Sequence, residues 1–289
     1  MKAVLGLFCW LSIASSALCA QSSVWKISKA DQSVYLGGTC HILRKSDYPL
    51  PAEFDQAYAA ADTLVFEVDP TALDDPAFAS QLMRAAAYTD GRSLQTVLNE
   101  EAYKALAEHG AKANLPIGVL NGMKPGMALM MLTLQELTQQ GVHQEGVDIH
   151  YSKRAAADGK GIQALETAEF QIEILATMGE GYESEFVLYG LKDLDQIGTY
   201  FDILIAAWRE GDLGTLNKLF IEDMMEYPQL YQDLLVLRNL RWLPQIETML
   251  KTPETELVLV GVGHAVGQDG LIKLLEAKGY SVEQVLAKD

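Results

Sequence analysis

The sequence predicts an α/β fold: a mixed central sheet built from two duplicated strand–Gly-x-x-His–helix–strand units at the N- and C-terminal ends, with a large helical insertion at about 71–250. Three observations lead there. Strand-like runs cluster near the two ends of the chain, apolar residues spaced by three and four fill its middle, and the two ends repeat one pattern. "VYLGGTCHIL", helix "PAEFDQAYAAA" and strand "DTLVFEV" form the first unit; "LVLVGVGHAV", helix "DGLIKLLEAKG" and strand "YSVEQVL" form the second. Gly38 and His41 thereby match Gly261 and His264, as a duplication would require.

Met1–Ala20, "MKAVLGLFCWLSIASSALCA", has a positive start, a short apolar run and a small-residue exit. That is the pattern of a secretory signal peptide, too short to span a bilayer. Leu18 suits a lipoprotein anchor at Cys19 poorly, so a periplasmic or secreted protein is expected, with 21–289 as one domain. Val24–Ser28 and Ser33–Gly38 read as a hairpin, Ala52–Ala61 as a helix and "DTLVFEVD" as a buried strand ending in Glu67 and Asp69. Helical spacing covers Asp75–Tyr88, Asn99–Ala113, Pro125–Gln140 and Gly146–Asp158. "GKGIQALE" is a strand running into Glu166, and a helical stretch follows to Leu250, broken near Gly179, Gly211 and Pro228. Strand "ELVLVGV", helix Asp269–Lys278 and strand "YSVEQVL" close the chain.

Composition narrows the function classes. With 22 basic against 39 acidic residues the net charge is −17, and no basic block interrupts it. Such a surface repels nucleic acid and anionic lipid. Two of three cysteines lie in the first twenty residues, leaving Cys40 alone and excluding a disulfide scaffold. No later segment is apolar and long enough for stable membrane insertion.

The Gly-x-x-His pattern carries the chemistry. Glycine lets the backbone leave a strand sharply, and a histidine just past the strand tip points into the crevice where α/β sheets bind ligands. Two neutral imidazoles and a carboxylate make a first shell for a divalent metal. Glu67 is the first candidate for that carboxylate and Asp69 the second. A buried carboxylate in "LVFEVD" must be solvated, paired or metal-bound.

These segments, with "GVDIHYSKRAAADGKGIQALET", "AWREGDL" and "LRNLRWLPQIETML", resemble the TraB/PrgY/GumN family, whose animal relatives include the TIKI proteins. The likeness covers essentially the whole mature chain and suits an exported bacterial GumN-type member. It implies a metal-dependent hydrolase with His41 and His264 as motif histidines and Glu67 as the acid. Arg238, Asn239 and Asp148 match recurring family positions, and TIKI members act as membrane-tethered metalloproteases.

Other readings compete for the same residues. Arg238 serves either a substrate or transition-state charge or a salt bridge within the acidic helices. Asp148 and Glu166 either orient ligands or cap helices. Cys40 beside His41 reads as a small buried hydrophobe rather than a nucleophile, because strand neighbours face opposite ways. Lys124 is a substrate contact or a helix-start residue; His109, His143 and His150 read as surface groups. Met123, Met127, Met130 and Met131 read as helix packing. "GVGHAVG", with Glu283 beyond it, mimics a dinucleotide fingerprint, but export and the matching His41 argue against that use.

The resulting expectation is a metallohydrolase, peptidase-like, holding manganese, cobalt or zinc through His41, His264 and Glu67. Glu67 is either ligand or general base. The partner is a peptide or small-molecule substrate. A non-catalytic peptide- or metabolite-binding protein of the same fold is the alternative.

Overall fold

The computed structural model describes residues 21–73, 75–222 and 224–287. The signal-peptide expectation for Met1–Ala20 lies outside them. Eight strands are present among the described residues: β1 (Gln21–Lys29), β2 (Gln32–Thr39), β3 (Ile42–Arg44), β4 (Thr63–Phe66), β5 (Val142–Glu145), β6 (Gly161–Ala164), β7 (Glu256–Gly261) and β8 (Ser281–Leu286). Six of them form one mixed sheet in the order β6-β4-β7-β2-β1-β8.

The hairpin forms as its sequence suggests. Lys29 pairs with Gln32 around a two-residue turn, and Ala30 takes a positive φ of 53° to close it. Continuous apolar character explains the sheet's middle. Leu257, Val258, Leu259 and Val260 of β7 are all fully buried, as a strand covered on both faces should be. Each such side chain contributes roughly 1.5–3 kcal/mol. Central β7 lies parallel to β2 on one side and to β4 on the other.

The two terminal units fold as strand, loop, helix and strand, through helices α1 (Ala52–Ala60) and α10 (Leu271–Ala277). Their crossovers are unequal. Only β7 separates β2 from β4, whereas both β2 and β1 separate β7 from β8. The motif glycines are also offset by one position, since Gly38 pairs with Val260 and Thr39 with Gly261.

Between the units stand α2 (Pro76–Ala85), α3 (Glu100–Lys112), α4 (Pro125–Gln139), α5 (Val147–Asp158), α6 (Ala168–Thr177), α7 (Glu183–Leu194), α8 (Ile197–Glu210) and α9 (Leu237–Met249). Leu106 of α3, Leu132 of α4 and Val187 of α7 belong to a second apolar core beside that of the sheet. Met127 is buried, and Met123 and Met131 pack against this second core.

Four local features add to the sequence reading. Ile42–Arg44 and Val142–Glu145 pair as a small antiparallel sheet, too short to show alternation. The long helical stretch breaks once more between Leu194 and Ile197, where no glycine or proline marks the turn. Pro228 opens a helical turn, Pro228–Tyr231, at the position where proline is tolerated. Two π-helical turns, Lys218–Glu222 and Gln232–Val236, also interrupt the α-helical run.

Candidate active site

Four neighbouring strands, β2, β7, β4 and β6, run parallel, so their C-terminal ends share one rim. Registers Thr39–Gly261, Phe66–Leu259 and Phe66–Ala164 align those ends. The residues just beyond them are His41, His264, Glu67 and Glu166. Four segments far apart in sequence therefore deliver two imidazoles and two carboxylates to one edge.

Glu67 is the centre. Its Oε1 accepts the Gly261 N–H at 2.7 Å and lies 3.9 Å from His264 Nε2. A Cβ added at Gly261 would stand 3.1 Å from His41 Nε2 and 3.3 Å from Glu67 Oε1. Glycine thus keeps open the narrow space in which the first histidine and the acid face each other. Glu67 Oε2 accepts from Arg238 Nη2 at 2.5 Å and from Gln171 Nε2 at 3.4 Å.

The tautomer of His264 follows from its neighbours. Asn239 Nδ2 donates to the carbonyls of His264 and Asp269 at 3.2 and 2.8 Å, which can only accept. Asn239 Oδ1 is therefore the atom facing His264 Nδ1 at 2.7 Å, so the ring proton sits on Nδ1 and the Nε2 lone pair is bare. Arg238 Nη1 donates to that lone pair at 3.1 Å. The ring is 4% exposed and packs on Trp242 with centroids 4.4 Å apart.

His41 is held from its Nδ1 side as well. Asp148 Oδ2 lies 2.9 Å from that nitrogen, and Thr39 donates to the other carboxylate oxygen at 3.0 Å. Asp148 reaches the ring because α5 starts against the His41 backbone. Val147 N–H donates to the Cys40 carbonyl at 3.1 Å, and a Cβ on Gly146 would fall 2.2 Å from the His41 carbonyl atoms. The His41 side chain is 61% exposed, so water screens the pair, which orients the ring more than it stabilises the fold.

Arg238 ties the rim together. All five of its N–H donors are engaged: Nε and Nη2 on the two oxygens of Glu166, Nη2 on Glu67, and Nη1 on His264 Nε2 and the Leu234 carbonyl. Trp242 Nε1 and Gln171 Nε2 complete the Glu166 carboxylate at 3.2 and 3.1 Å. In this arrangement Arg238 positions carboxylates and has no spare donor for a ligand.

The electrostatics differ across the cluster. Burial opposes ionisation of Glu67, but His264, Arg238, His41 and the Gly261 N–H outweigh it and hold the acid at about 2. Burial, with Arg238 and His41, lowers His264 to about 3 despite Glu67. It is neutral at neutral pH, so Arg238 and the cationic His41 are the charges that keep Glu67 ionised there. Asp148, helped by Glu67, raises His41 to about 9. Burial and the nearby Asp148 and Asp47 push the Cys40 thiol up, which removes it as a nucleophile.

Among the described residues no three or more His, Cys, Asp or Glu side chains stand close enough to hold a metal ion as they are. In kind the donors suit one: two imidazoles anchored through Nδ1, each with Nε2 directed at one carboxylate, form the outer-shell pattern of metal-binding histidines.

The other sequence candidates lie elsewhere. Asp69 caps a turn, accepting from Thr71 N–H and hydroxyl at 2.9 and 2.7 Å. Lys124 precedes α4 and lines a separate pocket with Arg92 and Glu183. His109 lies 3.4 Å from Asp195, His150 packs on Tyr48 and Tyr151, and His143 is exposed. Sequence reading missed Gln171, Trp242 and the Gly146 contact. Trp242 had a signal, since Arg238, Asn239 and Trp242 at i, i+1 and i+4 share one side of α9.

No helix among the described residues is long and apolar enough to cross a membrane. Residues 23–284 match the TraB/PrgY/gumN family. The chain is similar to Metalloprotease TIKI2 of Danio rerio, 25% identical over 308 residues that cover 86% of this chain and 58% of that protein. It is similar also to Metalloprotease TIKI1 of Xenopus tropicalis, 24% identical over 320 residues, or 90% of this chain and 61% of that protein. The chain thus spans about 60% of the length of these relatives. No solved structure matches.

Proposed function

Because the chain belongs to the TraB/PrgY/gumN family, we propose that it is a metal-dependent hydrolase acting on peptide bonds at the His41–Glu67–His264 rim. The observation that carries the reading is the matched anchoring of the two imidazoles. Asp148 and Asn239 hold Nδ1 on each ring, and both Nε2 atoms face Glu67. Relatives named metalloproteases support the peptide.

His41, His264 and Glu67 would hold the cation, with manganese, cobalt and zinc as candidates. Bound there, it supplies Lewis acidity that polarises a carbonyl and acidifies water. The chain's own residues prepare that chemistry. Asn239 keeps His264 in the tautomer that offers Nε2, and Asp148 orients His41. Arg238 and the Gly261 N–H keep Glu67 ionised. A carboxyl held at about 2 is a weak proton acceptor at neutral pH, which favours Glu67 as a ligand over a general base. We also assign Met1–Ala20 as the export signal, so the reaction would take place outside the cytoplasm.

A binding protein without catalysis is the second reading, favoured by Arg238 Nη1 lying 3.1 Å from the His264 Nε2 that a cation would need. Metal analysis separates the two. Mature wild-type protein incubated with manganese, cobalt or zinc and then desalted should retain about one equivalent, and the His41→Ala, His264→Ala double variant should not. Equal metal in both removes the proposed centre.

A further inference from the structure

We infer that the substrate is a peptide carrying several bulky apolar side chains on one side of the bond cut, with a single ring-sized side chain accommodated on the other. The inference rests on the hydrolase reading for the word "cut" and on the shape of the molecule for the rest. Two compartments meet at the rim, and His41 and Glu67 line both. The larger, about 710 Å³, runs beneath the helical insertion. The smaller, about 200 Å³, is walled by Phe66, Val68, Pro70 and Ile149, with Asp148 and Gln171 as its other polar residues. A cavity of about 150 Å³ holds one benzene ring, so the smaller space takes one side chain, and the larger takes several.

The larger cleft selects chemistry as well as size. Its Asp, Glu, Lys, Arg and His residues among those described are His41, Glu67, Arg238 and His264, all at the strand-end rim. Away from the rim the wall is uncharged and, apart from Tyr189 and Tyr200, apolar, with Met130 and Leu134 from α4, Phe201 and Leu204 from α8, and Phe220 and Leu235 from the two π-helical turns. A charged side chain placed there would lose its hydration with no charged partner to replace it. The two π-helical turns, a geometry frequent at functional sites, both contribute to this wall. Methionine and aromatic rings adapt to side chains of different outline, so the wall selects apolar bulk rather than one residue.

The two-sided arrangement favours a peptide over a fatty acyl chain. An acyl group needs one apolar compartment and ends at the reacting carbonyl, whereas a polypeptide continues on both sides of it. The net charge of −17 further disfavours acidic segments.

Binding and cleavage are measured separately, on the mature chain. A fluorescein-labelled dodecapeptide rich in Leu and Phe, a Glu- and Lys-rich peptide of equal length, and dodecanoate are titrated by anisotropy and competition. The apolar peptide should bind at least tenfold more tightly than the charged one. Leu134→Lys, at a position 43% exposed and so tolerant of folding, should abolish that preference, and Phe220→Ala should weaken it. Equal binding of both peptides, or binding of dodecanoate without the apolar peptide, overturns the inference. Cut sites in a proteome-derived peptide library with added manganese or zinc should show apolar residues at several successive positions on one side and at one position on the other. Cleavage without this asymmetry sinks the inference and leaves the hydrolase reading intact. Apolar binding with no cleavage under any metal does the reverse.

Discussion

Asn239 accepts the Nδ1 proton of His264 at 2.7 Å because its own amide nitrogen is committed to two carbonyls. A backbone–side chain–side chain relay thereby fixes which nitrogen of a buried imidazole is available for chemistry. Asn239→Ala should leave that N–H without an acceptor and cost about 1–3 kcal/mol of stability. Metal affinity should fall by roughly 10–100-fold. Urea unfolding and metal titration on the same preparation test both effects; unchanged affinity would show that the relay has no functional role.

Arg238 sits between two nearly inaccessible carboxylates, Glu67 and Glu166. Removing the cation strips Glu166 of its salt bridge and leaves Glu67 with His41 as its cationic neighbour. Arg238→Met should destabilise the fold by about 3–5 kcal/mol. Arg238→Lys should recover little, since an ammonium cannot reproduce the paired contacts to Glu166. Denaturant midpoints of the three proteins compare them directly, and a lysine variant matching wild type would contradict the geometry.

Gly146 lets α5 start against the backbone of His41. A Cβ there meets backbone atoms rather than a movable side chain, so Gly146→Ala should cost about 1–3 kcal/mol. It should also displace Asp148 from His41. The His41 imidazole should then titrate below the wild-type value of about 9, which NMR of the ring protons can follow.

Acid should destabilise the metal-stripped protein in two stages. His264 titrates at about 3 in the fold against 6.5 when unfolded, so the native state resists its protonation. Its contribution is full above pH 6.5 and declines below it. Glu67 titrates at about 2 against 4.5; its contribution is present above pH 4.5 and is lost as pH falls toward 2. Each group contributes a slope of up to about 1.4 kcal/mol per pH unit in its window. His264→Gln should remove the decline that begins near pH 6.5 and leave a smaller one below 4.5, since His264 is also the largest of the groups that hold Glu67 down. The same onset in both proteins would refute the assignment.

The rim was legible where residue type and position coincide. His41 and His264 stand in repeated frames, and Glu67 interrupts an apolar strand, so each announces itself locally. Arg238, Asn239 and Asp148 entered through family resemblance, and their roles came only with geometry. Counting donors shows Arg238 fully engaged, and the two carbonyls facing Asn239 reveal the His264 tautomer. Gln171 was silent because a glutamine on a mixed helix reads as surface. The Ile42–Arg44 and Val142–Glu145 pair was silent because three or four residues cannot display a period. The turn between Leu194 and Ile197 lacks any breaker residue, so packing rather than local propensity sets it.

Strand β7 lies between β2 and β4 although Glu256 follows Phe66 and Thr39 only after a long intervening stretch of chain. During synthesis the ribosome therefore releases His41 and Glu67 long before the partner that aligns them exists. The β1–β2 hairpin and the β4–β6 pair can form first, but joining them must wait for Glu256–Gly261 to emerge, a late long-range closure of the kind that folds slowly. The rim that gathers His41, Glu67 and His264 is thus incomplete in a nascent chain until β7 docks.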